Sequence, residues 1–312
     1  MSKIFIFIFI LFNFSFLISN PINNYNSIFY FAKSPVTNSL GGIHFPASNV
    51  GEVFYQPILK ESKIKNNFSI SFSNPFNSQL EIVQLAYCIN HSRKNNLSIG
   101  FVNRLVKDVY NTINAWDIDQ FLIPDFSDIN YNEINNLSYK DFAFLFSYSK
   151  YLKNINLNVK FKPSYNSYET NKALGLDLDV LSHFLIPKIN TSFTIGIDNF
   201  FSYKKWDSGD IQKNIKEYFL SGVMSFEKIN IYLQTDSLYD DKIAFEYKAG
   251  DLFRGRIGMS DNESYAFVFC LYSKTIELDY AYLKHDFLGN TNQISILFNV
   301  DNLKLLKDNI DI

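Results

Sequence analysis

Hydrophobic and polar residues alternate one by one along much of the chain, most regularly over residues 173–202. The first half of this stretch has apolar side chains at every second position, namely Leu174, Leu176, Leu178 and Val180. The second half repeats the pattern with Phe193, Ile195 and Ile197. A period of two is typical of a strand with one apolar and one polar face. Residues 186–189 separate the two runs, so the pattern predicts an antiparallel β-hairpin.

The same alternation recurs from residue 67 onward. Besides the two hairpin strands, the predicted strands are residues 67–73, 80–90, 97–106, 139–150, 154–165, 218–226, 230–236, 242–250, 253–260, 264–273, 276–284 and 292–300. A closed up-and-down barrel needs an even number of strands, and this count gives about fourteen. The chain is therefore predicted to be all-β: a transmembrane antiparallel β-barrel with a small N-terminal plug segment.

Strand length and aromatic content favour a membrane barrel over a soluble sheet. Most predicted strands are about ten residues long, near the ~9–11 residues that a tilted strand needs to cross a bilayer. Aromatic residues make up 17% of the chain. Several stand at predicted strand ends, where a girdle at the lipid boundary is expected: Tyr148, Tyr151, Phe200, Phe201, Tyr203, Tyr280 and Tyr282. The alternative is a soluble secreted β protein that binds a surface ligand.

The N-terminus has the pattern of an export signal. Lys3 precedes an almost unbroken apolar run over residues 4–18, which ends at Ser19. The run is shorter than the ~20 residues of a membrane-spanning helix, which favours a signal peptide over an uncleaved anchor. The predicted parts are a signal peptide over 1–19, a polar segment and plug over 20–66, the barrel over 67–300 and a C-terminal tail over 301–312. Export and a barrel together predict the outer membrane of a Gram-negative cell.

Two stretches do not alternate. Residues 39–61 contain Gly41 and Gly42, which allow a tight bend, and are interpreted as the plug. Residues 111–136 form the longest irregular insert and include Trp116 and several acidic side chains. Because outer-membrane barrels have long loops on one side and short turns on the other, this insert is predicted to be an external loop.

If the apolar face of each strand points outward, the alternate residues line the lumen. The charged lumen-lining candidates are Asp177, Asp179, Asp198, Glu246, Lys248, Arg254, Arg256, Glu277 and Asp279. Such charges would either steer a polar solute or dock the tail of a partner. Alternatively, they pair across neighbouring strands, where opposite charges stabilise a sheet by roughly 0.2–1 kcal/mol.

No catalytic residue, metal site or cofactor is expected from the sequence. The four histidines do not follow a metal-binding spacing: His44, His91, His183 and His285. Ser182 and His183 are adjacent on a strand, so their side chains point to opposite faces and cannot act together as nucleophile and base. A membrane-embedded hydrolase is the weakest of the hypotheses. The net charge of −2 gives no indication of nucleic-acid binding. Cys88 and Cys270 are expected to be buried thiols, with one disulfide as the alternative.

Several short motifs, taken in order, resemble the PorV/PorQ family of outer-membrane proteins, which is similar in fold to the FadL long-chain fatty-acid transporters. They are LGG at 40–42, DFA at 141–143, GLDLDV at 175–180, IDNF at 197–200 and LDYAY at 278–282. The chain departs from the family at residues 56–59, where QPIL replaces an Asn-Pro-Ala-Gly-Leu motif, and in the tail that follows Phe298.

The resemblance implies a non-enzymatic outer-membrane barrel that takes part in protein secretion of type IX or in a cell-surface assembly. The expected partners are then outer-membrane lipid and secretion-system proteins. The alternative that the resemblance leaves open is a FadL-like passive channel whose partner is a hydrophobic solute.

Overall fold

The computed structural model describes most of the chain between residues 28 and 299. The described ranges are 28–47, 49–58, 67–76, 80–92, 94–106, 110–112, 115, 129–136, 139–168, 170–237, 241–250, 252–260, 263–273, 275–285 and 289–299. The predicted signal peptide, the C-terminal tail and the middle of the long insert, with Trp116, lie outside these residues. None of the helices within these ranges is long and apolar enough to span a membrane.

Fourteen strands form the wall of the molecule. They are β1 Asn67–Asn74, β2 Leu80–His91, β3 Asn95–Val106, β4 Tyr139–Leu152, β5 Ile155–Tyr168, β6 Asn171–Ile186, β7 Thr191–Trp206, β8 Glu217–Ser225, β9 Ile229–Asp236, β10 Lys242–Ala249, β11 Phe253–Ser260, β12 Glu263–Tyr272, β13 Ile276–His285 and β14 Gly289–Asn299. Two-residue strands occur at Tyr110–Asn111, Asn135–Asn136 and Ile211–Gln212.

The sheet closes on itself. Each strand pairs antiparallel with the next one in the chain, and β1 pairs with β14, where Phe68 faces Phe298. The predicted hairpin is β6 and β7, with Val180 opposite Ile197. Its turn contains the short 3₁₀-helix Pro187–Ile189. The prediction of a closed antiparallel barrel of about fourteen strands is confirmed.

Apolar side chains cover the outside of the barrel. On β1, Ile70 and Phe72 are 38% and 39% exposed, whereas Ser69 and Ser71 between them are buried. On β4 the exposed positions between Lys140 and Lys150 are all aromatic: Phe142, Phe144, Phe146 and Tyr148. The arrangement is the reverse of a soluble protein, in which the apolar face of a sheet is buried.

The two ends of the barrel differ. At one end, called the turn end, adjacent strands are joined by two to four residues, as between β4 and β5 and between β6 and β7. The chain also enters β1 and leaves β14 at this end. At the other end, called the mouth, residues 107–138 connect β3 to β4 and residues 207–216 connect β7 to β8.

Residues 28–58 lie inside the barrel and are called the plug. They contain the 3₁₀-helices Ile28–Phe31 and Val50–Glu52 and one short α-helix, α1, over Pro35–Ser39. The plug contacts strands around much of the barrel, including β1 to β4 and β11 to β14. Apolar side chains of plug and wall share one core. From the plug come Ile28, Phe29, Ala32, Val36, Leu40, Ile43, Phe45, Ala47, Val50, Val53, Phe54 and Ile58.

Candidate functional site

The local sequence gives the plug its shape. The side chain of Ser34 accepts a hydrogen bond from the Thr37 amide at 3.0 Å and so caps α1, and Pro35 occupies the first turn. The helix stops at Leu40 because Gly41 and Gly42 follow with φ angles of +66° and +73°, which favour glycine. The LGG motif therefore ends α1 and forms the tight bend that the two glycines predicted.

This bend rests directly on the barrel wall. A Cβ atom added to Gly258 of β11 would lie 2.6 Å from the Gly41 nitrogen and 2.6 Å from the Leu40 carbonyl carbon. Real Cβ atoms do not approach backbone so closely, so only glycine at position 258 allows the plug to sit where it does. Gly100 of β3 gives similar room to the ring of Phe54.

Side-chain amides fasten the plug to the wall at both of its ends. Gln293 of β14 donates to the Lys33 carbonyl at 2.6 Å and accepts from the Asn38 amide at 2.7 Å. Asn156 of β5 donates to the Ile58 carbonyl at 2.6 Å. The plug is thus held at its start and at its end to two separate parts of the barrel.

His44 lies in the middle of the plug and is fully buried. Its ring stacks between Tyr55 and Phe219, with centroid distances of 4.0 and 3.7 Å. Its Nε2 lies 3.1 Å from an oxygen of Asp198 on β7. Burial lowers the pKa of His44 below its ordinary value of 6.5, although Asp198 acts in the opposite direction. The contact links the middle of the plug to the wall at β7.

Glu52 is the buried carboxylate of the plug. It accepts hydrogen bonds from the hydroxyls of Ser34 at 2.5 Å and Thr37 at 2.6 Å. Burial raises the pKa of Glu52 from 4.5 to about 7, because two hydroxyls do not replace the hydration of a full charge. Its neighbour Asn49 donates to Glu277 on β13 at 3.1 Å. The plug therefore contains one acid that changes charge near neutral pH.

The first group of lumen-lining candidates is on β6 and β7. Asp177 is buried and accepts from the Asn214 amide at 3.2 Å. Asp179 is buried and forms an ion pair with Lys162 of β5. Asp198 faces His44. The structure thus brings these three acids to one side of the barrel interior, where each has a polar or basic partner.

The second group is on β10, β11 and β13. Glu246 accepts from the Arg256 guanidinium at 2.6 Å across the β10–β11 pair, and Asp279 accepts from the Ser295 hydroxyl at 3.1 Å. Lys248 lies opposite Arg254 in the register, and both are half-buried. Glu277 contacts the plug through Asn49, so the second group joins wall to plug as well as strand to strand.

Sequence reasoning missed the basic and amide side chains of β5. Asn156, Asn158, Lys160 and Lys162 follow one another on its inner face and are all buried. The Lys160 Nζ atom has no hydrogen-bond partner among the described residues. The signal was present in the alternation of residues 154–165, which places two lysines on the same face as the amides. Sequence reasoning also missed the ion pair between Arg104 of β3 and Asp141 of β4.

The interior shows no sign of a metal centre in the described ranges, where no group of three or more His, Cys, Asp and Glu side chains converges. Cys88 and Cys270 are both buried free thiols, as expected. His183 of β6 is buried, and its Nδ1 lies 3.2 Å from the Thr194 hydroxyl.

A closed antiparallel barrel with an apolar exterior is the fold of outer-membrane β-barrels. The P. putida toluene transporter TodX matches with a TM-score of 0.58 at 9% sequence identity, over 85% of this chain and 96% of that chain. The monoaromatic hydrocarbon channel CymD matches with a TM-score of 0.51 at 8% identity, over 86% and 97%. At sequence identities this low, the structural similarity establishes a shared fold. No family model and no curated protein matches the sequence.

Proposed function

We propose that this protein is an outer-membrane channel that admits small apolar molecules and that it has no enzymatic activity. This is the FadL-like alternative of the sequence analysis rather than the secretion role implied by the PorV/PorQ resemblance. The observation that carries the proposal is the apolar boundary between plug and wall.

That boundary runs through the inside of the barrel. The wall side chains that face the plug core are Ile82, Ala86, Cys88, Val102, Ala143, Leu145, Val223, Tyr232, Ala244, Val268, Cys270, Ala281 and Leu297. Porin interiors are polar because water and ions pass through them. An interior with this lining favours a solute that gains free energy on leaving water, by roughly 25 cal/mol for each Å² of apolar surface buried.

The functions of the structural neighbours support the same class of solute, since TodX is a toluene transporter and CymD a monoaromatic hydrocarbon channel. In outer-membrane barrels the short turns face the periplasm and the long loops face outward. We therefore orient the turn end inward and the mouth outward, with residues 1–19 as the export signal. Because plug and wall are packed together, passage requires the plug to move.

Uptake by intact cells tests this function. The polysaccharide-covered outer leaflet slows the entry of apolar molecules, so Gram-negative cells that produce the protein are expected to take up labelled toluene faster than cells with an empty vector. Uptake of glycerol, a polar solute of similar size, is expected to stay the same. Equal toluene uptake by both cell types, with the barrel present in the outer membrane, would contradict the proposal. A secretion role would instead change the set of extracellular proteins.

A further inference from the structure

The mouth of the barrel contains a second candidate site. A cleft of about 350 Å³ opens there and is lined by Tyr168, Asn171, Trp206, Ser208, Asp210 and Gln212. Its volume is near the lower end of the ~300–1,000 Å³ typical of small-molecule sites. The cleft is distinct from the plug contacts, and nothing in the proposed passage of apolar solutes uses its polar side chains.

The lining residues lie on the inner face of the wall. Tyr168 ends β5 and pairs with Asn171 at the start of β6. Tyr168 shares its strand face with buried Asn166, two positions away, and Trp206 shares its face with buried Lys204. The side chains therefore point inward at the rim, where an incoming molecule first meets the barrel.

The cleft is preformed by a fastened turn. The Asp207 amide donates to the Lys172 carbonyl at 2.9 Å, and the Lys172 amide donates to the Asp207 carboxylate at 3.0 Å. The Trp206 amide donates to the Asp210 carbonyl at 2.9 Å, across a turn in which Gly209 adopts a φ of +94°. Turn and strand ends thus hold the aromatic and polar side chains in place before any ligand arrives.

The combination of side chains fits a sugar ring. A pyranose has faces of C–H groups and an edge of hydroxyls, so it needs aromatic surface for the first and hydrogen-bonding groups for the second. Tyr168 and Trp206 supply the aromatic surface. Four exposed side chains supply donors and acceptors: Asn171, Ser208, Asp210 and Gln212. The Ser208 hydroxyl donates to the Asp210 carboxylate at 2.8 Å, which leaves further acceptor sites on the carboxylate open to a ligand. A hydrocarbon would use the rings alone and make no use of these polar groups.

We infer that the cleft binds a neutral pyranose unit. The same chemistry is offered by a free saccharide and by the sugars of the lipopolysaccharide that surrounds an outer-membrane barrel. Binding at this site does not depend on the passage of apolar molecules, so the failure of either proposal leaves the other standing.

Tryptophan fluorescence provides the test, because the chain has only two tryptophans, Trp116 and Trp206. In Trp116→Phe protein, held in a detergent without a sugar headgroup, D-glucose, D-galactose and N-acetyl-D-glucosamine are titrated one at a time. At least one is expected to give a saturable change in emission. Gln212→Ala and Asp210→Ala are expected to weaken that binding by about tenfold, the loss that follows from a missing hydrogen bond.

Lys205→Ala is the matched control, because Lys205 neighbours Trp206 but is exposed on the other face of β7. It is expected to leave the affinity unchanged. The Trp206 indole N–H has no hydrogen-bond partner among the described residues. Trp206→Phe should therefore keep the fold and part of the affinity, measured by calorimetry, whereas Trp206→Ala should abolish binding.

A second arm distinguishes the source of the sugar, by titrating vesicles with and without lipopolysaccharide. A response to lipopolysaccharide that requires Gln212 identifies the membrane sugar as the ligand. The inference is overturned if toluene changes the emission and no saccharide or lipopolysaccharide does, if nothing does, or if Lys205→Ala weakens binding as much as Gln212→Ala. Unchanged migration of unheated protein on gels shows in each case that the variant barrel is folded.

Discussion

Each strand residue belongs to one of two environments, and its neighbours along the chain belong to the other. Phe146 on β4 is 46% exposed, whereas Ser147 beside it is fully buried. The difference explains why alternation in the sequence was sufficient to assign faces. A charged side chain at an outward position lowers the free energy of unfolding by an amount that depends on the depth of that position in the membrane.

Phe146→Arg tests that dependence. Phe146 lies near the middle of the fourteen residues of β4, so an arginine there is expected to lower the free energy of unfolding by about 2–4 kcal/mol in lipid. The measurement is urea unfolding in vesicles. Phe226→Arg is the matched control, since Phe226 is equally exposed but lies between β8 and β9 at the turn end, where the cost is expected to be about 0–1 kcal/mol. Equal costs would show that Phe146 does not face the hydrocarbon core.

Charged residues of the lumen were less predictable than the apolar ones. The pattern placed Asp179 on the inner face, but it could not show the ion-pair partner. The register sets Lys160 opposite Asp179, whereas the ion pair forms diagonally with Lys162. His44 and Glu52 were beyond prediction for a different reason. They lie in the plug, which has no period to reveal which side chains point toward the wall. The partner Asp198 of His44 comes from a strand far away in the chain, and the hydroxyls that bind Glu52 come from another turn of the plug.

Among the elements, the plug rests against β11 through a close backbone contact at Gly258. Gly258→Ala places a methyl group 2.6 Å from the plug backbone and is expected to push the bend of Gly41 away from β11, at a cost of about 1–3 kcal/mol. Faster hydrogen exchange over residues 28–58 would report the loosened plug.

Gly255→Ala on the same strand controls for the general effect of alanine, because the nearest atom to a Cβ there is 4.0 Å away. It is expected to leave the exchange of the plug unchanged. If the amides of residues 28–58 exchange at the same rate in the two variants, the bend does not rest on Gly258 and the placement of the plug is wrong.

The plug is also expected to respond to pH through Glu52. Its pKa is about 7 when the plug is seated and near 4.5 when it is released. The contribution of Glu52 therefore favours the seated plug most below pH 4.5. This stabilisation, roughly 3 kcal/mol in total, is lost as the pH rises to about 7. His44 acts in the opposite direction, since its lowered pKa makes release easier as pH falls below 6.5.

Glu52→Gln separates the two effects. The measurement is hydrogen exchange of residues 28–58 at pH 5 and pH 8, corrected for intrinsic rates. In the wild type, Glu52 is expected to speed exchange at pH 8 and His44 at pH 5. The variant is expected to lose the faster exchange at pH 8 and to keep the faster exchange at pH 5. A variant whose pH dependence equals that of the wild type would show that Glu52 does not ionise in this range.

For the molecule as a whole, the even strand count and the strand lengths were enough to predict a closed membrane barrel. Closure could be predicted because every pairing except β1 with β14 joins strands that are neighbours in the chain. The cleft at the mouth could not, since Tyr168, Trp206 and Gln212 are brought together only by the pairing of strand ends and a fastened turn. The proposed function depends on how the plug fills the barrel. The alternation of apolar and polar residues along the strands does not encode that packing.

We propose that apolar molecules cross the interior when the plug moves. The side chains of Asn38 on the plug and Gln293 on the wall meet end to end, so cysteines at these two positions are within reach of a short bis-methanethiosulfonate cross-linker, with Cys88 and Cys270 changed to alanine. Cells with the cross-linked protein are expected to take up labelled toluene at the rate of vector controls, and reduction of the cross-link should restore uptake. Asn38→Cys alone should not respond to the cross-linker. Undiminished toluene uptake with the plug locked would contradict the account.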